Sequence, residues 1–328
     1  MPTLPRTVSL LPSATEMVAL LGGLPALVGR SHECDFPLGV ESLPILTASR
    51  LAHASGPIDA AEIDRQVRSQ LEAGSLYTLD EAKLTALGPE LILTQDLCSV
   101  CSVDLNAVRR VAERLTPAPR VLSLNPETIE GVLDDLWRVG EAMGLSAEGV
   151  IVQLRERLAQ AIDYVNPFAD GPTVAFLEWT DPLFIGGHWT PQLIERAGGR
   201  HPLNPTAPVP GSGAAIGPQQ ASRRAGKSIR VPAEVLAASR PDVVFIAPCG
   251  LSLAQIRPLA RELARQPWFR ALPAFKAGRV ALVDGSQMFN RPGPRLVDAQ
   301  EFLVGYLNDR PELIPPGFPW EPLNASGL

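Results

Sequence analysis

The stretch VSLLPSATEMVALLGG, Val8–Gly23, decides the fold class. Val8-Ser9-Leu10-Leu11 is a short apolar run that reads as a buried strand, and Pro12 stops it. Ser13-Ala14-Thr15-Glu16 has the form of a capping box, with Ser13 accepting from first-turn amides and Glu16 reaching back. Met17, Leu20 and Leu21 follow at helical spacing, and Gly22-Gly23 ends the helix. The product is a strand, a tight turn and a helix, the unit from which parallel sheets are built.

The unit recurs along the chain. Strands are expected at Ala26–Gly29, Glu90–Thr94 and Arg120–Leu124, the last leading into a helix from about Glu127 to Met143. A long helical pattern runs from Ser146 to Val165, with Val150, Leu154, Leu158, Ile162 and Val165 as its apolar stripe. At about 1.5 Å per residue it would span about 30 Å, enough to join two lobes. After Pro167 the alternation restarts with strands at Thr173–Leu177, Asp242–Ala247 and Arg279–Val283, and with a helix from Thr190 to Ala197. His201–Ser228 reads as loop, and the Pro-rich tail from Pro311 as an extended arm or a frayed end. The expectation is an α/β protein of two Rossmann-like lobes with mostly parallel sheets: residues 1–145, a linking helix 146–166, and residues 167–328.

Composition narrows the function. The chain has 328 residues, 45% hydrophobic and 20% charged, enough for two lobes with a core each. A net charge of -6 gives no sign of a nucleic-acid partner. No apolar run reaches the roughly 20 residues needed to enter a bilayer. The N-terminal apolar run is broken by Pro12, Ser13, Thr15 and Glu16, so it reads as a strand entering a helix rather than an export signal. A cytoplasmic protein is expected from the sequence as given, or an extracytoplasmic one if it is a trimmed mature form. Its cysteines are then expected to be reduced.

In open parallel sheets, ligands bind beyond the carboxyl ends of the strands. The segments at those positions are Pro12–Thr15, Ser31–Asp35, Asp96–Cys101, Glu178–Trp189 and Pro248–Gly250. Together they contain all four cysteines, His32, His188, Trp179 and Trp189. His32-x-Cys34 and Cys98-x-x-Cys101 offer imidazole and thiolate at chelating separations, suited to zinc or iron, and Cys249 could add a ligand. Buried cysteines that only fill space, or redox-active thiols, are the alternative. Aromatics are only 5% of the chain, yet Trp179, Phe184 and Trp189 crowd one strand-end loop. Flat rings of this kind suit a macrocycle pocket, or else cover a core edge; Phe289 is a further candidate wall. Arg223, Arg224, Lys227 and Arg230 read as a solvated loop or as a counter-charge for an anionic ligand group. There is no Walker loop, no HExxH and no Gly-x-Ser-x-Gly elbow.

The order of segments resembles the iron-chelate and cobalamin periplasmic-binding proteins of ABC importers, two lobes joined by one long helix. VSLLPSATEMVALLG is similar to that family's first strand and helix. LVGRSHECDFP is similar to its second strand and loop, where the cobalamin branch carries an Asp-aromatic-Pro ending. PDVVFIAPCG, WFRALPAFKAGRVALVDG and RPGPRLVDAQEFL resemble second-lobe segments. The resemblance implies a non-enzymatic binder that holds a corrinoid such as cobalamin, or an iron chelate, between its lobes. It also implies an ABC permease as partner if the chain is exported. By position it points to Ser13, Thr15, His32, Glu33, Cys34 and Asp35, and to Trp179, Trp189, Cys249 and Phe289; His188, from the strand-end loop itself, is a further ligand candidate. Two other readings stand beside it. One is a metal, iron–sulfur or haem binder using His32, Cys34, Cys98 and Cys101. The other is an enzyme with a thiol nucleophile.

Overall fold

A computed structural model describes residues 3–51, 58–72, 76–96, 104–166, 168–209 and 223–323. The chain forms two compact units. One comprises Met1–Ala54, Arg65–Pro126 and Glu130–Leu154, the other Ser55–Asp64, Glu127–Ile129 and Arg155–Leu328.

The first unit is built on β1 (Thr7–Ser9), β2 (Leu27–Arg30), β5 (Leu91–Thr94) and β6 (Arg120–Ser123), all parallel in the order β2-β1-β5-β6. Val8 pairs with Ile92, and both are fully buried, as expected for strands covered on two faces. α1 (Pro12–Leu20), α3 (Glu81–Leu87), α4 (Leu105–Ala112) and α5 (Ile129–Met143) accompany the sheet. Leu84, Val108 and Val111 pack into one core cluster with Val8, Leu46 and Ile92. A side ribbon pairs β3 (Thr47–Ser49) antiparallel to β4 (Tyr77–Leu79). α2 (Ala60–Glu72) and α6 (Glu148–Ile162) each contain a boundary between the two sets of residues.

Two local expectations need correction here. The capping box at Ser13 does not form: Pro12 takes the first helical turn, Leu11 becomes the N-cap without a side-chain bond, and Ser13 is buried inside the helix. A proline with no N–H fits the first position of a helix, so the cap falls on Leu11, two residues before Ser13. The long helix is also shorter than its pattern, 15 residues or about 22 Å, because Asp163 to Val165 tighten into turns.

The main sheet of the second unit has six strands in the order β11-β8-β7-β12-β13-β14. β7 (Val174–Thr180), β12 (Val243–Ile246) and β13 (Val280–Val283) are parallel and central. β8 (Leu183–Ile185) folds back antiparallel on β7, β11 (Ile229–Arg230) adds to β8, and β14 (Trp320–Pro322) adds antiparallel to β13. Within the Pro-rich tail, expected as an extended arm or a frayed end, Trp320–Pro322 packs as an edge strand. Trp320 packs on Phe302 and Tyr306, at 5.6 and 5.4 Å between ring centroids. α7 (Trp189–Arg196), α8 (Ala233–Ala238), α9 (Leu253–Arg265) and α12 (Leu296–Leu307) are the main helices, with short α10 (Pro267–Arg270) and α11 (Pro273–Lys276) between. The side chain of Arg157 forms a two-pronged bond to Glu301 at 2.9 and 2.6 Å and also reaches Asp298, fastening α6 to α12. The expected loop His201–Ser228 contains a small ribbon of β9 (Ala207–Pro208) and β10 (Arg223–Arg224). No helix among the described residues is long and apolar enough to cross a membrane.

Candidate functional site

In the first unit, the strand-end loops are built from the inside outward. Thr15 is fully buried, and its hydroxyl lies 2.9 Å from Ser9 Oγ and 3.0 Å from Cys34 Sγ. Ser13 and Cys34 are equally interior, at 2% and 1% exposure. These three side chains underpin the turn after β1 and the loop after β2. The less buried residues of this loop, His32 and Glu33, lie between the buried Ser31 and Cys34.

His32 and Glu33 are half-buried, and Asp35 is exposed. The ring Nδ1 of His32 lies 2.7 Å from Thr47 Oγ1, which also accepts the His32 backbone N–H at 3.0 Å. When Thr47 passes its own proton to Ser31 Oγ, 3.1 Å away, Nδ1 must be the donor and the lone pair falls on Nε2. Tyr77 tilts against the His32 ring at 5.4 Å and donates its hydroxyl to Glu33 Oε1 at 3.1 Å. Ribbon β3–β4 therefore sets the orientation of both side chains. Beyond them Phe36 and Leu38 are 43% and 91% exposed.

In the second unit, the loop from β8 to α7 is drawn tight. Glu178 accepts from Gly187 N at 3.3 Å and from the Ser228 hydroxyl, while Asn204 Nδ2 bridges the carbonyls of Gly186 and Lys227 at 3.0 Å each. A Cβ on Gly187 would lie 2.2 Å from Ser228 N, so glycine alone permits this approach. His188 follows with φ 53° at the N-cap of α7, stacked on Trp189 at 5.6 Å. Burial pushes the His188 ring below its ordinary pKa; Glu127 opposes this shift and Lys227 adds to it.

Trp189 is 7% exposed and donates from its indole to the Phe289 carbonyl. Phe289 itself is 1% exposed, with its ring 4.9 Å from Phe176. Trp179 is half-buried and donates to the carbonyls of Ala60 and Asp181, at 3.1 Å each. Cys249 is exposed at the end of β12, its N–H bonded to the Glu178 carbonyl. The basic group is not a solvated loop throughout: Arg223 reaches Thr206 and the neighbouring Glu195, and Arg224 pairs with Glu127 at 3.0 Å.

His32 and Cys34 thus share a loop, but one side chain turns to the ribbon and the other to the interior. Cys98 and Cys101 lie outside the described residues. Among the described residues, no group of three or more His, Cys, Asp or Glu side chains is placed to hold a metal ion. Sequence reasoning missed Thr47, Tyr77, Asn204 and Ser228, which fix the orientation of the candidates. None carries a local motif, and each meets its partner only through the fold.

No protein-family model matches the chain, and no curated protein matches it in sequence. Solved structures do match in fold. A periplasmic heme binding protein from Pseudomonas aeruginosa aligns over 94% of both chains, with 21% identity and a TM-score of 0.64. The periplasmic vitamin B12 binding protein BtuF of Vibrio cholerae aligns over 94% of this chain and 98% of its own, with 17% identity and a TM-score of 0.62. The periplasmic heme-binding protein RhuT from Roseiflexus sp. RS-1 aligns over 94% and 99%, with 19% identity and a TM-score of 0.65. The chain has the fold of these class III periplasmic binding proteins.

Proposed function

We propose that the protein is a non-enzymatic binding protein for a metal macrocycle, a corrinoid of the cobalamin type foremost. The observation that carries this reading is the likeness over 94% of the chain to proteins named as binders of heme and of vitamin B12. Fold alone does not choose a ligand, so the local chemistry must. The His32–Asp35 loop supports the choice. It offers an oriented imidazole and a hydrogen-bonded carboxylate, with exposed apolar surface at Phe36 and Leu38 for a flat ring to cover. Transfer of the ligand to an ABC permease belongs to the same reading if the chain is exported.

Haem is the second reading, favoured by one observation. With Nδ1 fixed on Thr47, His32 has the preset ring orientation typical of a metal-ligating histidine. Titration of reduced, metal-analysed protein with cyanocobalamin and with hemin, by calorimetry and absorbance, separates the two. Saturable one-site binding of cyanocobalamin supports the corrinoid reading. Hemin binding with a Soret shift that disappears in His32→Ala supports haem. Binding of neither, with stoichiometric zinc or iron in the purified protein, overturns both.

A further inference from the structure

We propose that Arg30 is the positioning residue of the candidate ligand loop, clamping it from within so that His32 and Glu33 are preset before any ligand arrives. The assignment rests on the functional reading above for the loop's role, but its geometry stands alone. Arg30 closes β2 and is only 6% exposed. One guanidinium nitrogen donates to the carbonyls of Ser31 and Cys34, both at 3.0 Å, and the other to the carbonyl of Glu41 at 2.9 Å. Its backbone completes the clamp. The N–H donates to Pro44 O, and its carbonyl accepts from Leu46 N, both at 2.9 Å. The loop that leaves Arg30 at Ser31 therefore returns to the same residue at Glu41 and Pro44.

Among the described residues no carboxylate pairs with this buried cation; three backbone carbonyls solvate it instead. A buried charge without an anionic partner is costly; these three bonds through the two terminal nitrogens offset that cost, while Nε is buried without a partner among the described residues. The carbonyls of Ser31 and Cys34 are turned inward to meet it. Cys34 also places its thiol inward on Thr15, while His32 and Glu33 reach the ribbon. A planar fork with several fixed donors can serve three carbonyls at once, which a single ammonium cannot do equally well. A preset loop spares the ligand the entropy of ordering it.

The test uses Arg30→Met and Arg30→Lys in the full chain. Amide hydrogen exchange without ligand should accelerate at least tenfold across Ser31–Ser42 in Arg30→Met, while β1 and β5 exchange as in the wild type. A general loss of stability would accelerate all of them. Affinity for cyanocobalamin or hemin, whichever the wild type binds, should fall ten- to a hundredfold in Arg30→Met and recover in part in Arg30→Lys. Unchanged loop exchange, or a loosened loop with unchanged affinity, overturns the proposal. If Arg30→Met does not fold, Arg30→Lys carries both measurements, with smaller changes expected in the same directions. A wild type that binds neither probe sinks the functional reading, and exchange still decides whether Arg30 holds the loop.

Discussion

The indole Nε1 of Trp189 donates to the carbonyl oxygen of Phe289 at 2.7 Å, a bond that closes 100 residues of chain. It ties the first turn of α7 to the segment that follows β13, with both side chains buried. The Trp189 ring thus satisfies the backbone of Phe289, whose own ring packs on Phe176, Phe302 and Phe318.

Trp189→Phe removes that donor while keeping an aromatic ring. The buried carbonyl is left unpaired, at a cost of about 1–3 kcal/mol. Urea unfolding should show this loss, whereas Phe289→Leu keeps the carbonyl bond and loses packing alone. An unchanged midpoint in Trp189→Phe would mean that the carbonyl finds another donor.

Gly187→Ala places a methyl against backbone rather than against a movable side chain, 2.4 Å from the Lys227 carbonyl carbon. The Gly226–Ser228 segment must move, and the bonds from Asn204 and Glu178 go with it. Overpacking of this kind costs about 3 kcal/mol. Gly186→Ala is the control: its Cβ would meet only side chains, nearest at 3.2 Å, and should cost about 1 kcal/mol. Equal thermal stability in the two variants would contradict this account.

Two buried groups give stability opposite slopes with pH. His201 is held down to about 4 by burial, against a weaker pull from its backbone bonds. Its contribution is fully present above the unfolded value of about 6.5 and is lost as pH falls toward 4, by about 3 kcal/mol. Asp135 is pushed up to about 6 by burial, which outweighs its 2.6 Å bond to Arg138. Its carboxylate is a burden above pH 6 that lifts as pH falls toward 4, by a similar amount. His201→Gln should therefore gain on the wild type as pH falls from 7 to 4, and Asp135→Asn should lose ground over the same range. Parallel curves of urea midpoint against pH for wild type and both variants would refute the assignment.

The fold was legible wherever apolar runs were continuous. Val243–Ile246 and Val280–Val283 are buried on every side and read as strands at once. The ribbon of Thr47–Ser49 and Tyr77–Leu79 was not legible, since three residues are too few to show alternation. α12 buries nearly its whole circumference, which erases the 3.6-residue stripe that marks a surface helix. The capping signal misled at Ser13, where Pro12 competes, while Ser252 and Gln255 form the box at the head of α9. Candidate loops could be named because cysteine, histidine and tryptophan gather at strand ends. Their orienting partners could not: Glu33 meets Tyr77 across 44 residues, and Glu178 meets Ser228 across 50. Contacts of that span are created by topology and leave no local trace.

The edge strand Trp320–Pro322 acts as a bumper for the second sheet. Without it, β13 would offer the unpaired backbone of Val280–Val283 to the next copy of the chain, with aromatic rings at Phe302 and Tyr306 newly bared beside it. Such an edge is a template for strand-to-strand pairing between molecules. Three residues of a Pro-rich tail thus guard against self-association, and their loss would turn a covered sheet edge into an adhesive one.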